Sequence, residues 1–140
     1  SKYVALHLSA WPPRDDEDSG PVRRSSVREM QFPWNLSGMN PQAKNYKNES
    51  CPVVFAYGYG LSCTTDCENK VFISHGGGLP GFGSNWRIMP DYGIVIISLA
   101  NLTYASAGNI NAKVLDTVVR LANLQPRQLA VSPILNQRKN

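Results

Sequence analysis

The chain has 140 residues, 42% of them hydrophobic and 17% charged, with a formal net charge of +4. That length fits one domain or a piece of a larger one, and the composition is that of a globular rather than a disordered protein. Its Lys and Arg are scattered apart from Arg23-Arg24 and Arg138-Lys139. The charge therefore reads as ordinary solvation, with no nucleic-acid stripe, and no run approaches the ~20 apolar residues of a membrane span.

The start, Ser1-Lys2-Tyr3-Val4, lacks an initiator Met and the pattern of a signal peptide, and reads as a chain entered within a helix. Apolar residues at 3, 4, 6, 8 and 11 predict an amphipathic helix from Tyr3 to Trp11, stopped by Pro12-Pro13. Arg14 to Gly20 reads as a charged loop. Ser26-Val27-Arg28-Glu29 has capping-box spacing and predicts a short helix to about Gln31. From Phe32 to Pro52 no period holds, and this polar stretch reads as a long excursion.

Beyond it the pattern turns to strands. Val53 to Leu61 is aromatic and β-branched, Thr64 to Asn69 has turn chemistry, and Lys70 to Ser74 is a second strand. Phe82 to Met89 predicts a third strand, Pro90-Asp91-Tyr92-Gly93 a turn, and Ile94 to Ala100 a fourth. This last run, IVIISLA, does not alternate, so both of its faces are expected to be buried. From Ser106, Ile110, Val114, Val118, Leu121 and Ala122 form an apolar stripe expected to lie on the sheet, and the helix ends before Pro126. Residues 127–140 form a tail without firm pattern. The expected fold class is α+β, an antiparallel sheet with packed helices.

Cys51, Cys63 and Cys67 allow free thiols or one disulfide, and the sequence does not choose between them. With only His7 and His75 besides, no metal or other cofactor is implied. His7 reads as a helix-face residue. Asn35-Leu36-Ser37, Asn48-Glu49-Ser50 and Asn101-Leu102-Thr103 are formal glycosylation sequons, meaningful only in a eukaryotic secretory pathway.

The stretch that asks for chemistry is SHGGGLPGFGS, Ser74 to Ser84, in which Gly76, Gly78 and Gly81 spell G-x-G-x-x-G. A dinucleotide site needs a helix opening on the glycines, whereas a strand follows here. A kinase-type glycine loop lacks its companion motifs, and a nucleophile elbow would need glycine where Trp86 stands. The bland alternative is a glycine-rich hairpin with an incidental histidine.

The order of elements around His75-Gly76-Gly77 resembles the C-terminal part of the serine β-lactamase and penicillin-binding-protein family, in its class C and esterase-like branch. The similarity is best from Tyr57-Gly58-Tyr59-Gly60 through HGGGLPGFGSNWRIMPDYGIVIISLANLTY to Leu124, and reaches back more weakly through SSVREMQ. It implies a β-lactamase/transpeptidase-like fold in which residues 1–126 are a C-terminal fragment. In that family the strand beside the active site ends in Lys-Thr-Gly or His-x-Gly, matched here by His75, Gly76 and Gly77.

The resemblance implies catalytic roles for Gly78, whose amide would be an oxyanion donor, and for His75, which would face the cleft; Gly76 and Gly77 would let substrate lie against the backbone. The substrate would be a small molecule or peptide with an amide or ester carbonyl. The missing N-terminal part of the same fold would be the partner, and the bacterial periplasm or cell envelope the location. The sequence departs from the family in lacking the nucleophile motif Ser-x-x-Lys. Ser25-x-x-Arg28 is nearest, and Tyr46-Lys47-Asn48 has the Tyr-x-Asn form but lies closer to the triplet than the family places it. The rival expectation is a non-catalytic module of the same fold that binds a peptide or a partner.

Overall fold

A computed structural model describes residues 1–14, 16–45 and 47–127. Among them lie three helices, α1 (Lys2–Ser9), α2 (Arg24–Met30) and α3 (Ala107–Leu121). Six strands, β1 (Asn35–Asn40), β2 (Val53–Tyr57), β3 (Ser62–Thr65), β4 (Val71–Leu79), β5 (Phe82–Met89) and β6 (Ile94–Ala100), form one sheet. Its order is β1-β2-β3-β4-β5-β6 and every neighbouring pair is antiparallel. The fold is therefore α+β, an antiparallel meander with helices on both faces. Of the tail expected over 127–140, only Arg127 is among the described residues, its N–H donating to the Asp91 carbonyl at 2.6 Å.

Two apolar clusters fix the layers. On one face Val4, Ala56, Leu61, Cys63, Ile73 and Ile88 pack with Leu8, Met30 and Trp86, so α1 and α2 cover the middle strands. On the other face Leu115, Val119 and Met89 pack with Phe72, Ile94 and Ile96, which seats α3. The alternation Ile73/Phe72 and Ile88/Met89 is the period-two geometry of a strand buried from both sides.

Several elements differ from the sequence expectation. The excursion contains β1, which pairs with β2 through an irregularity between Leu36 and Gly38. It is an edge strand with a largely exposed burial pattern, so no apolar alternation betrays it. Ser62 to Thr65 is also a strand, and the turn is confined to the residues after it. There Asp66 Oδ1 accepts the N–H groups of Glu68 and Lys70, both at 2.9 Å. Ser26 does not cap α2, which begins two residues earlier, after Arg23. The first-turn N–H of Arg24 instead donates to Asp18 Oδ1 at 3.2 Å, while its guanidinium pairs with Asp16 and Asp18.

The expectation for β6 is overturned too. Ile94 and Ile96 pack towards α3, but Val95, Ile97 and Leu99 lie on the other face, with Leu99 81% exposed. β6 is the other edge strand, and α1 packs its Tyr3 and His7 on Trp86 of β5. The stripe of α3 that faces the sheet is likewise shifted. Ala107, Asn111, Leu115 and Val119 are buried, whereas Ile110 is 56% exposed and Val114, Val118 and Leu121 are exposed beside it. Asn111 decides the rotation. Its amide donates to Asn85 O at 3.0 Å and Asn85 Oδ1 at 2.9 Å, and its oxygen accepts from Ser98 Oγ. A fully paired side-chain amide can sit at the interface with no desolvation cost left uncompensated.

Cys51 and Cys67 form a disulfide, tying the loop before β2 to the turn after β3, and Cys63 is a buried free thiol. His7 lies on the face of α1 that packs on the sheet and is buried, at 1% exposure. No helix among the described residues is long and apolar enough to cross a membrane.

Candidate functional site

Ser74 to Leu79 is the second half of β4, which runs past the end of its neighbour. The β3 register stops at Ser62↔Ser74, while the β5 register continues from Ile73↔Ile88 to Leu79↔Phe82. Only Pro80 and Gly81 separate Leu79 from Phe82, so that pair must be the one exchanging the last ladder bonds. Alternation from there turns the N–H groups of Gly76 and Gly78 away from β5. No strand among the described residues stands opposite them. Gly81 closes the turn at φ +84°, a conformation that excludes most side chains, and its N–H donates to Thr103 Oγ1 at 2.7 Å.

His75 lies on the α1 side of the sheet, in register with Trp86, and its side chain is exposed. Trp86 in turn stacks on His7, with ring centres 5.3 Å apart, and meets Tyr3 edge-on. The His75 carbonyl accepts a hydrogen bond from Asn85 Nδ2 at 3.2 Å. Through Asn111 this ties the candidate strand to α3 on the far face. Asn85 and Asn111 carried no signal in the sequence, because their partners are set by strand register and helix rotation.

The glycines also have packing reasons. A Cβ on Gly78 would meet the Tyr104 ring at 2.5 Å, one on Gly83 would meet Ala105 N at 2.8 Å, and one on Gly77 would meet Ser84 Oγ at 2.9 Å. The segment after β6 thus roofs the hairpin closely. A concavity of about 600 Å³ adjoins Gly77 and Gly78 and is walled by Leu79, Phe82 and Leu99. It brings Gly77 and Gly78 together with an apolar wall; His75 does not line it.

Of the other candidate residues, Ser25 lies in the first turn of α2 and lines a separate cavity with Trp11 and Phe32. Tyr46 lies outside the described residues, so the Tyr-x-Asn stretch is described only at Lys47 and Asn48. Asn48 adopts φ +65° in the loop whose bonds centre on Asn45. No group of three or more His, Cys, Asp or Glu among the described residues could hold a metal ion.

No family model, curated protein or solved structure matches the chain. The chemistry of the hairpin must be argued from its own geometry.

Proposed function

We propose that this chain is the C-terminal part of a serine hydrolase related to the β-lactamases and penicillin-binding proteins, acting on amide or ester carbonyls of a small molecule or peptide. The observation that supports the reading is the overhang of β4. His75-Gly76-Gly77 and Gly78 run past β3, where no strand among the described residues stands opposite, and the register turns the Gly78 N–H into that edge. A substrate acyl group laid along the edge would meet backbone donors already held in place, which is the requirement for stabilising a tetrahedral oxyanion.

In this reading the serine oxygen comes from the part of the fold preceding this chain, on a Ser-x-x-Lys helix. It adds to the carbonyl carbon while a neighbouring base takes its proton, and the oxyanion lies between the Gly78 N–H and the serine's own N–H. Collapse, with the base returning that proton to the leaving group, expels the amine or alcohol and leaves an acyl-enzyme; water, deprotonated by the same base, then releases the acid and the proton restores the serine. His75, exposed beside the edge, would donate a hydrogen bond to substrate. The Cys51–Cys67 disulfide supports an oxidising compartment such as a periplasm.

The same open edge also favours a second reading, a non-catalytic module that takes an extended peptide as an added strand. The full-length gene separates the two. An upstream Ser-x-x-Lys whose serine becomes acylated by a reporter ester, seen as a mass increase lost on Ser→Ala, supports the hydrolase. A full-length protein without that motif, or one never acylated, leaves the peptide-binding module.

A further inference from the structure

The face of the sheet opposite His75 carries a further concavity, about 620 Å³, between β2–β5 and the flank of α3. Its apolar wall is Val53, Phe55 and Phe72, and Arg87 enters it from β5. The Arg87 guanidinium lies 5.6 Å from the centre of the Phe72 ring. Its Nε is buried and has no hydrogen-bond partner, and Arg87 takes part in no ion pair among the described residues. The lining holds five cationic side chains against three carboxylates. Two of those carboxylates, on Glu68 and Asp116, already face Lys70, at 2.6 Å and 3.8 Å.

The guanidinium Nη groups of Arg87 are not among the buried side-chain atoms and make no hydrogen bond among the described residues, so an acceptor in the cavity would find donors not yet engaged. Burial works against the Arg87 charge and lowers its pKa, a penalty that an anion at the same spot would offset. The two Nη groups at the end of a guanidinium present parallel N–H groups that match a planar carboxylate. The aromatic wall beside it favours an organic body over a bare inorganic anion, and the volume lies in the range of small-molecule sites.

We propose that this cavity binds a small organic carboxylate, its oxygens on Arg87 and its aromatic or aliphatic body over Phe55, Val53 and Phe72. The site is independent of the hydrolase reading, since it uses neither His75 nor the β4 edge.

The test is calorimetric titration of the intact protein that carries this chain with 2-naphthoate, 2-naphthamide and inorganic phosphate. The naphthoate should bind roughly 10- to 100-fold more tightly than its neutral amide, the range expected for a charge-assisted pair of hydrogen bonds. Arg87→Met should abolish that preference while leaving the weak amide binding, and Arg87→Lys should retain part of it. Equal affinity for acid and amide in the unaltered protein overturns the proposal without recourse to any variant. So does a preference undiminished in a folded Arg87→Met protein, or phosphate binding as tight as naphthoate.

Discussion

The Gln31 side chain donates from Nε2 to His7 Nδ1 at 3.1 Å, linking α2 to the ring that stacks on Trp86. Gln31 Oε1 accepts from Trp11 Nε1 at 2.8 Å, so the orientation of the amide is set by a second partner. His7 Nδ1 is thereby an acceptor. The neutral ring carries its proton on Nε2, which is buried without a partner.

This arrangement predicts acid sensitivity. Burial lowers the His7 pKa below its ordinary 6.5, so the unfolded chain binds the proton more readily than the folded one. The stability contributed by neutral His7 is complete above about pH 6.5 and is lost as the pH falls from there towards the lowered folded value. The urea midpoint should drop between pH 7.5 and pH 5, and His7→Gln should flatten that part of the profile. An identical slope in the variant would assign the effect to other groups.

The Cys51–Cys67 bridge spans a sequence separation of 16 residues. Closing a loop of that size limits the unfolded chain and is worth about 3 kcal/mol. Cys51→Ser with Cys67→Ser should lower stability by about that amount. Cys63 behaves oppositely: burial pushes its thiol pKa up, and its Sγ donates to the Gln31 carbonyl at 3.1 Å. Iodoacetamide should label Cys63 only after unfolding, and rapid labelling of the native protein would contradict its buried placement.

At Gly58 the β2–β3 connection packs directly against the C-terminal end of α2 and the residues after it. A Cβ there would lie 2.3 Å from Met30 O and 2.8 Å from Phe32 O, both backbone atoms. Gly58→Ala should cost roughly 1–3 kcal/mol, the usual range for overpacking. Gly60→Ala, where a Cβ meets nothing but φ is +72°, reports backbone strain alone. A Gly58→Ala protein as stable as the parent would show that the two segments separate easily.

His75→Ala should leave thermal stability within about 0.5 kcal/mol, because the side chain is exposed and makes no side-chain hydrogen bond among the described residues. On the proposed hydrolase reading, the same change in the full-length protein should lower turnover roughly 10- to 1,000-fold. Full turnover with unchanged stability would take His75 out of the site.

Val95, Ile97 and Leu99 on β6, together with Ile110, Val114 and Leu121 on α3, flank a sheet edge with no described neighbour. Apolar surface beside an open strand edge invites association. The 140-residue chain alone should self-associate in sedimentation and show no activity on β-lactam or p-nitrophenyl ester reporters. On the fragment reading, supplying the upstream part of the fold should restore both solubility and turnover. A monodisperse chain that turns over either reporter would sink the fragment reading.

The elements legible in the sequence are those whose limits are set by neighbours a few residues away. β5 and β6 begin and end where expected because Pro80-Gly81 and Pro90 to Gly93 punctuate them on either side. The overhang of β4 was half visible: the glycines were plain, but only the short β3 ladder, ending at Ser62, makes one edge of them open. Which stripe of α3 is buried was not readable, since Ile110, Val114 and Val118 are the more apolar choice. The helix turns instead to satisfy Asn111, 0% exposed, against Asn85 and Ser98, partners that exist only once β5 and β6 are paired. The disulfide pairing, the tautomer of His7 and the unpaired Nε of Arg87 belong to the same class. Each depends on groups brought together across the chain, and long-range contact is decided by the packed sheet rather than by local sequence pattern.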